Sequence, residues 1–336
     1  MMNECEKIDF VILWVDGNDP AWQEQFNRYA PKDKQIAIDA SAERYRDWDC
    51  LRYWFRGVEQ FAPWVNKVHF VTCGQVPEWL NTDCEKLHIV SHADFMAKEY
   101  LPTFSANPIE DNLHRIESLA EHFVYFNDDF YLTHAVSPAR FFRHGLPTDM
   151  AVCNTIQSPA LMGHITLNNL DIINRHFSKR RVLRRIGQWF RWSYGLQYML
   201  RTVALLPWPR FSGFFDHHLP QGYRKQTLQE VWEAEPHILH ATSTHRFRHI
   251  EDVNQWLFRY WHLCKGEFAP LNVVRDSAFY KLTDENFDEA VATIATQKKS
   301  IVVLNDSESL SDFEEKKAQL CRAFESILPD KSMFEK

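Results

Sequence analysis

Two adjacent carboxylates interrupt an apolar stretch in the run Phe123-Val124-Tyr125-Phe126-Asn127-Asp128-Asp129-Phe130. A short apolar run bounded by polar residues predicts a buried strand, central in a sheet. Carboxylates at the end of such a strand need a partner, because a buried unpaired charge is costly. A divalent cation held by Asp128 and Asp129 would be one, with a phosphate-bearing substrate completing its shell. The alternative is an exposed strand-to-loop corner, where Asn and Asp are common turn residues.

A second polar group follows the first apolar run of the chain. Residues 8–15 have the β-branched and aromatic content of a strand, and Asp16-Gly17-Asn18-Asp19-Pro20 is a turn signal. An α/β sheet binds nucleotides beyond the carboxyl ends of its strands, so this loop is a candidate nucleotide site. It contains neither a G-x-G-x-x-G fingerprint nor a P-loop. Trp14 could stack on a base or simply pack, and the aspartates could bind ribose or metal or only shape the turn.

A predicted helix that begins at Asn107 or Pro108 leads directly into the carboxylate strand. Glu110 and His114 share one of its faces, and Asn112 and Arg115 lie on another edge. Its polar face can therefore lie near the carboxylates. The alternative is that Glu110 only interacts with the helix dipole and Arg115 is solvated.

Two later segments are rich in cations. The run His245-Arg246-Phe247-Arg248-His249 could bind phosphate, because guanidinium groups match its oxygens, although most surface arginines do not. Residues 176–211 mix arginines with Trp, Tyr and Leu at helical spacing, which resembles an interfacial amphipathic segment. An anionic polymer could bind there instead, or the basic residues could simply face solvent.

The composition sets the class of protein. With 336 residues, 45% hydrophobic and 25% charged, the chain is typical of a globular protein, and a net charge of −7 argues against nucleic-acid binding. Seven scattered cysteines without a C-x-x-C pair argue against a disulfide framework and a thiolate zinc site, and they suit a reducing cytosol. Neither a signal-peptide pattern nor a membrane-spanning apolar run is present. We therefore expect a cytosolic protein, at most attached to a membrane surface.

The order of elements predicts an α/β fold. Strands at 8–15, 67–74 and 86–90, with a helix over 49–65, indicate right-handed βαβ crossovers and a Rossmann-like, mostly parallel sheet with flanking helices. A helix over 222–233, a strand at 300–305 and a closing helix are also predicted. We expect an α/β core at 1–160, a basic, aromatic helical insertion at 161–215, a segment completing the active site at 216–270 and a C-terminal extension at 271–336.

The motifs resemble those of the Stealth proteins, hexose-1-phosphate transferases that include bacterial capsule enzymes and the lysosomal-enzyme N-acetylglucosamine-1-phosphotransferase. Residues 8–20 are similar to the first signature region. The second is matched by Leu51-Arg52-Tyr53, Ala62-Pro63-Trp64-Val65, Gly74-Gln75-Val76-Pro77-Glu78-Trp79-Leu80, Leu101-Pro102-Thr103-Phe104, Ile109-Glu110, Leu113-His114-Arg115-Ile116 and Tyr125-Phe126-Asn127-Asp128-Asp129. The third resembles His218-Leu219-Pro220 and the fourth Phe247-Arg248-His249-Ile250-Glu251-Asp252.

This resemblance implies a nucleotide-sugar-transferase-like fold and the transfer of an intact sugar 1-phosphate from a nucleotide sugar, UDP-linked, to a hydroxyl of a glycan. It assigns catalytic roles to Glu110, Asp129, His218 and Arg248, with Mg²⁺ or Mn²⁺ held by Asp128 and Asp129. The expected donor-binding residues are Asp9, Trp14, Val15, Asp16, Gly17, Asn18, Asp19, Asn112 and Arg115.

His218 is the candidate base for the acceptor hydroxyl, and Glu110 either orients the donor sugar or acts as that base. The acceptor would be a polysaccharide or a lipid-linked glycan. The expected location is the cytoplasm, at the inner face of the bacterial membrane if residues 176–211 attach there. One alternative is a metal-dependent glycosyltransferase that releases nucleoside diphosphate. Another is a non-catalytic protein that binds membranes or polysaccharide through residues 176–211.

Overall fold

The computed structural model describes residues 7–30, 47–156, 160–307 and 310–336. Its strands and helices follow one another as β1 (Ile8–Leu13), α1 (Pro20–Tyr29), α2 (Leu51–Phe61), β2 (Val68–Thr72), β3 (Leu87–Ser91), α3 (His92–Phe95), α4 (Ala106–Asn112), β4 (His122–Phe126), β5 (Phe130–Leu132), β6 (Phe142–Arg143), β7 (Leu146–Asp149), α5 (Ala160–His176), α6 (Lys179–Val182), α7 (Ile186–Trp189), α8 (Leu196–Ala204), β8 (Gln221–Arg224), α9 (Lys225–Ala234), α10 (Pro236–Thr244), α11 (Trp256–Lys265), β9 (Ala269–Pro270), β10 (Ser277–Lys281), α12 (Phe287–Ala295), β11 (Ile301–Asn305) and α13 (Phe313–Ile327).

The main sheet has the strand order β3-β2-β1-β4-β8 among the described residues. The first four strands are parallel, and β8 runs antiparallel to β4. Ile12 of β1 lies opposite Phe126 of β4 and Phe70 of β2, so these three strands end along one edge. The predicted α/β fold with a mostly parallel sheet is confirmed, and its carboxyl edge holds both polar groups identified in the sequence.

Both faces of the main sheet are buried, which explains why its strands are nearly continuous apolar runs. Phe10 and Phe126 point to one side, where their ring centroids are 4.7 Å apart. Val11 and Tyr125 point to the other side and pack in a second apolar cluster. Successive side chains of a strand alternate between the two faces of the sheet, so the same strand pairing supplies side chains to both apolar clusters.

A second sheet attaches the C-terminal region to the site. Its strand order is β10-β11-β5, with β10 parallel to β11 and β11 antiparallel to β5. Val303 lies opposite Phe130, the residue that follows the two carboxylates. Helix α13 packs on the same core, where the rings of Phe324 and Tyr53 stack at 5.5 Å. Residues 271–336, predicted as an extension, therefore share the core of the main sheet. A smaller sheet has the order β6-β7-β9.

Two helices have different bounds in the structure from those that the sequence predicts. Residues 221–224 form strand β8, and helix α9 starts only at Lys225. Gly222 lies so close to Phe141 that a Cβ there would be 3.1 Å from the Phe141 carbonyl oxygen. The close approach of these two backbone segments explains why glycine occupies this strand position. Helix α4 ends at Asn112 and continues as a 3₁₀ turn over Leu113–Arg115, so His114 does not share an α-helical face with Glu110.

No helix among the described residues is long and apolar enough to cross a bilayer.

Candidate active site

The Asn-Asp-Asp corner, residues 127–129, connects β4 to β5 at the carboxyl edge of the main sheet. The backbone N–H of Phe130 donates to the carbonyl oxygen of Asn127 over 3.2 Å. The corner is therefore a tight turn, and that turn still presents two neighbouring carboxylates. Asp128 is exposed and Asp129 is half-buried.

The electrostatics of the corner fit a divalent cation. Desolvation by the surrounding protein, and then the charge of Asp129, raise the pKa of Asp128 to about 7. Burial also raises the pKa of Asp129 to about 6. Across the part of the chain that the structure describes, Oδ1 of Asp129 is buried without a hydrogen-bond partner, and Oδ2 lies 3.5 Å from Nδ2 of Asn305. Paired carboxylate oxygens with an unpartnered lone pair are ligands that Mg²⁺ and Mn²⁺ prefer.

Glu110 lies in α4 and is linked to the corner through a tyrosine. The hydroxyl of Tyr125 lies 2.7 Å from Oε1 of Glu110 and 2.6 Å from Oδ1 of Asn127, so its one proton can be donated to either. Burial raises the pKa of Glu110, while the Tyr125 hydrogen bond and the charge of Arg248 partly oppose that rise. Glu110 is thus a buried carboxyl group whose position is fixed by its neighbours.

His218 comes to the corner from the other side. Its Nε2 atom lies 4.0 Å from Oδ2 of Asp129, and its side chain is 39% exposed. The ring lies between Phe130 and Phe279, with centroid distances of 5.2 and 5.4 Å and nearly perpendicular planes. Surrounding protein, and then the charge of Arg248, lower the pKa of His218 to about 4. The imidazole is therefore neutral at pH 7 and can accept a proton.

A buried ionic network holds the segment that carries His218. The guanidinium of Arg259, fully buried in α11, donates to both carboxylate oxygens of Asp149 over 2.8 and 2.9 Å. It also donates to Asp216 over 3.1 Å, and Tyr260 donates to the same carboxylate over 2.6 Å. His218 follows two residues later with a φ of +46°, a left-handed conformation that non-glycine residues adopt only when their surroundings impose it.

Arg248 lies in the loop between α10 and α11. Its positive charge lowers the pKa of both Glu110 and His218, so the guanidinium lies within electrostatic range of these two residues. The buried carboxylate of Asp252 shapes this loop by accepting hydrogen bonds from the backbone N–H of His249 at 2.9 Å and from Nδ2 of Asn107 at 3.1 Å. Glu110, Asp129, His218 and Arg248 thus converge from four separate parts of the chain.

The predicted donor loop lies at the same edge, after β1. Trp14 stacks on Phe70 with ring centroids 5.5 Å apart. Gln75, just after β2, clamps the loop: its side chain accepts from the N–H of Asp16 over 2.8 Å and donates to the Asp19 carboxylate over 2.8 Å. That carboxylate also caps α1. All six predicted donor-binding residues of this loop lie at the carboxyl edge: Trp14, Val15, Asp16, Gly17, Asn18 and Asp19.

Three residues of the predicted donor-binding set do not lie at this edge. Asp9 is fully buried near the start of β1 and accepts hydrogen bonds from Asn66 at 2.6 Å and His69 at 3.0 Å. Asn112 is also buried and donates to Ser243 over 2.9 Å. Arg115 is exposed beyond the end of α4, where its guanidinium lies over the ring of Trp232. These contacts place the three residues away from the donor loop, and their assignment to donor binding stays a prediction.

The structure adds residues that sequence reasoning did not single out. Asn305 and Phe279 come from the C-terminal region and contact Asp129 and His218. The signal for Asn305 was a polar residue at the end of an apolar strand, the same pattern that identified the corner. Gln75 stood inside a recognised motif, whereas nothing in the sequence pointed to Phe279.

A carboxylate corner, a neutral imidazole and a guanidinium at the carboxyl edge of a parallel sheet are typical of enzymes that transfer groups from phosphate-bearing donors. Comparison with known protein families defines the chain further. Conserved region 1 of the Stealth proteins matches residues 6–34, and conserved region 2 matches residues 44–149. The chain belongs to the Stealth family, as its motifs predicted.

Three relatives cover nearly the whole chain. The receptor polysaccharide phosphotransferase WefC of Streptococcus gordonii is 40% identical over 98% of this chain and 99% of its own length. The capsular polysaccharide phosphotransferase WcwK of Streptococcus pneumoniae is 39% identical over the full length of both. The exopolysaccharide phosphotransferase cps2G of Lactiplantibacillus plantarum is 39% identical over 98% of this chain and 96% of its own length.

Proposed function

We propose that this protein transfers a sugar 1-phosphate from a nucleotide sugar, UDP-linked, to a hydroxyl of a surface polysaccharide or its lipid-linked precursor. The observation that carries the proposal is the convergence of Glu110, Asp129, His218 and Arg248 at one edge of the sheet. The relatives named polysaccharide phosphotransferases support the acceptor class. The uridine nucleotide follows from the family resemblance alone.

In this reaction the acceptor oxygen forms a bond to the phosphorus next to the sugar. The bond from that phosphorus to the oxygen shared with the nucleoside phosphate breaks, and nucleoside monophosphate leaves. The product is a phosphodiester. Phosphoryl transfer depends mainly on positioning and on neutralising charge, which is what an arginine and two carboxylates that could hold a cation can provide.

Asp128 and Asp129 would hold Mg²⁺ or Mn²⁺, which supplies positive charge to the diphosphate oxygens when bound. Arg248 would donate to the oxygens of the transferred phosphate, because its planar guanidinium matches their geometry. The role of the cation fits the raised pKa values of Asp128 and Asp129, since added positive charge favours the ionised carboxylates.

Two observations favour His218 over Glu110 as the base. The His218 ring is partly exposed, so an acceptor hydroxyl can reach it, and it is neutral at pH 7, so a lone pair is free to take the proton. The negative charge of a bound diphosphate would raise its low pKa and make it a stronger base. Glu110 is buried and already bonded to Tyr125, with the charge of Arg248 nearby. Glu110 would instead hold Arg248 and the donor sugar in position.

Product analysis tests the reaction class. The enzyme is incubated with UDP-N-acetylglucosamine and other UDP-sugars, Mg²⁺ and an acceptor oligosaccharide, and the products are examined by ³¹P NMR and mass spectrometry. UMP together with a phosphodiester-linked sugar supports the proposal. UDP together with a plain glycoside would establish the metal-dependent glycosyltransferase instead.

Replacing His218 by alanine is expected to lower kcat by about 10²–10⁴-fold, the usual contribution of a general base. Donor KM should change little, because the imidazole serves the acceptor hydroxyl. The control is His134→Ala, which removes an exposed imidazole elsewhere on the chain. Turnover in His218→Ala close to that of the control would assign the base to another group.

We also propose a cytoplasmic location with contact to the inner face of the bacterial membrane through residues 176–211. The cysteines of the described residues, Cys50, Cys73, Cys84, Cys153, Cys264 and Cys321, are free thiols, which suits a reducing compartment. The basic and aromatic composition of residues 176–211 supports the membrane contact.

A further inference from the structure

Helix α8 presents an apolar face to solvent. Leu196, Leu200 and Val203 are spaced by four and three residues and so share one face, and the two leucines are 59% and 57% exposed. A surface helix of a globular protein normally turns such a stripe towards the core. The orientation of α8 is therefore the reverse of the usual one.

The opposite face of α8 fixes this orientation. Thr202 is buried, and its hydroxyl oxygen accepts a hydrogen bond from the N–H of Cys153 over 3.1 Å. Tyr198 packs on Phe215 with ring centroids 5.0 Å apart. The exposed leucines therefore belong to an anchored helix and cannot reach the core by rotation of α8 without breaking these contacts.

The turn after α8 is also anchored. The ammonium group of Lys179, itself buried, donates to the carbonyl oxygens of Leu205 and Trp208 over 2.5 and 2.9 Å. The indole of Trp208 nevertheless remains exposed. More than half of the large apolar side chains that are exposed in the described residues lie in this one region: Ile186, Trp192, Leu196, Leu200, Val203, Leu206 and Trp208. We call this set the apolar surface.

Positive charge is concentrated in the same segment of the chain as the apolar surface. Residues 172–215 contain nine lysines and arginines and no aspartate or glutamate, in a chain whose net charge is −7. All eight arginines of this segment are exposed: Arg175, Arg180, Arg181, Arg184, Arg185, Arg191, Arg201 and Arg210. A segregation of this size marks the partner as anionic.

We propose that the apolar surface and its arginines dock the protein on an anionic lipid bilayer. Leucine side chains would enter the boundary between headgroups and acyl chains, Trp192 and Trp208 would lie at headgroup level, and the arginines would contact lipid phosphates. A second copy of this chain is disfavoured as the occupant, because it would bring arginines against arginines.

Docking would also orient the active site. Phe215 contacts both Tyr198 and Arg201 of α8 and precedes His218 by three residues. The bilayer would therefore lie beside the segment that carries the candidate base. This last step rests on the proposed transfer reaction and implies that the acceptor glycan is presented on a lipid of the same bilayer.

The docking is tested by co-sedimentation of the full chain with phosphatidylglycerol and with phosphatidylcholine vesicles, without donor or acceptor. Wild type should bind the anionic vesicles and be released by 1 M salt, which screens surface charge. Arg180→Glu/Arg181→Glu/Arg184→Glu should lower the partition coefficient by at least about 100-fold, since each arginine near such a surface contributes about 1 kcal/mol.

The contribution of the exposed leucines to vesicle binding can be tested against a matched control variant. Leu196→Ser/Leu200→Ser should bind at least about 10-fold more weakly. Leu167→Ser/Met333→Ser changes side chains of similar exposure, 51% and 44%, outside the apolar surface and should bind like wild type. Thermal melts of each variant show that the fold is retained. Equal binding of wild type to both vesicle types, or a salt-insensitive sediment, would overturn the docking.

Transfer assays separate this inference from the proposed function. With a water-soluble acceptor, Leu196→Ser/Leu200→Ser should turn over like wild type; with an acceptor anchored in phosphatidylglycerol vesicles it should be at least about 10-fold slower. Equal rates for both enzymes on the anchored acceptor would overturn the role of docking. Absence of transfer by wild type to either acceptor would refute the reaction and leave the vesicle result standing. Binding of wild type to its own copies in place of vesicles would refute the bilayer as partner.

Discussion

Replacing Asp129 by asparagine is expected to abolish transfer, with a loss of about 10²–10³-fold or more, and to leave the protein at least as stable as wild type at pH 8. The activity is lost because the proposed cation loses a charged ligand whose Oδ1 is unpartnered within the described residues. The stability is kept because asparagine does not carry a charge that burial penalises. Turnover and thermal melts measure the two effects separately.

The pH dependence gives the sign of the stability effect. The pKa values of Asp129 and Asp128, about 6 and about 7, lie above the value near 4 of an unfolded aspartate. Between these values the folded protein binds more protons than the unfolded chain, so stability falls as pH rises from about 4 to 7. The advantage of Asp129→Asn over wild type should therefore be larger at pH 8 than at pH 5.

Added Mg²⁺ or Mn²⁺ should act in the opposite direction. A cation competes with protons for the carboxylates, so it should raise the melting temperature of wild type more at pH 8 than at pH 6. Asp129→Asn should lose most of that shift, whereas Asp83→Asn, a change at an exposed aspartate, should keep it. A wild-type melting temperature that neither cation moves at pH 8 would contradict the metal site, and near-normal turnover of Asp129→Asn would contradict the catalytic role.

The sheet could be predicted from the sequence because its strands are buried on both faces. Runs such as residues 8–13 and 122–126 contain almost no polar side chains, and parallel pairing follows from the helix between two such runs. Because parallel strands end along the same edge of a sheet, the polar residues that follow these runs are predicted to lie together at the carboxyl edge, and the structure places them there. Contacts between distant residues do not enter this prediction.

The convergence of His218 and Arg248 on the corner could not be derived in the same way. Both lie far along the chain, outside the periodic elements, and only the family resemblance connected them with Asp129. The structure brings His218 to the corner through the antiparallel strand β8, which sequence reasoning took for part of a helix. A strand of four residues with a glycine in its middle lacks the periodicity that would have identified it.

The surroundings of Asp9 could not be predicted either. The family resemblance alone assigned this residue to donor binding, and the structure places it near the start of β1. Its partners are His69 and Asn66 from the neighbouring strand and the turn before it, and the burial of those groups is invisible in the sequence. Asn112 is a similar case: its side-chain amide donates to the hydroxyl of Ser243 in α10, while its Oδ1 is buried without a hydrogen-bond partner among the described residues. Polar residues in strands identify buried networks as readily as binding sites.

Replacing Arg259 by methionine is expected to destabilise the fold by about 3–5 kcal/mol, because it leaves the buried carboxylate of Asp149 without its counter-charge. Methionine keeps much of the side-chain volume, so the effect reports the charge more than a cavity. The measurement is urea unfolding at pH 7. Arg175→Met is the control: this arginine makes exposed ion pairs with Asp171 and Glu235, and its loss should cost no more than about 1 kcal/mol.

At acid pH the free energies of unfolding of Arg259→Met and wild type should differ less than at neutral pH. The charge of Arg259 holds the pKa of Asp149 well below its ordinary value, against the opposing effect of burial. Such a carboxylate contributes stability above the unfolded pKa near 4 and loses it as pH falls towards the folded pKa. The destabilisation should therefore be full at pH 6–8 and shrink below pH 4. A constant difference across that range would mean that the guanidinium acts by packing alone.

The same variant tests the link from the buried network to catalysis. Arg259 and Tyr260 both bind Asp216, and His218 adopts its left-handed backbone conformation two residues later. Freed from this support, His218 should leave that conformation, which costs of order 1–3 kcal/mol to maintain. At a temperature where Arg259→Met is still folded, kcat should fall at least 10-fold with little change in donor KM, because the donor loop is anchored separately by Gln75. Unchanged kcat in a folded variant would show that His218 holds its position without the network.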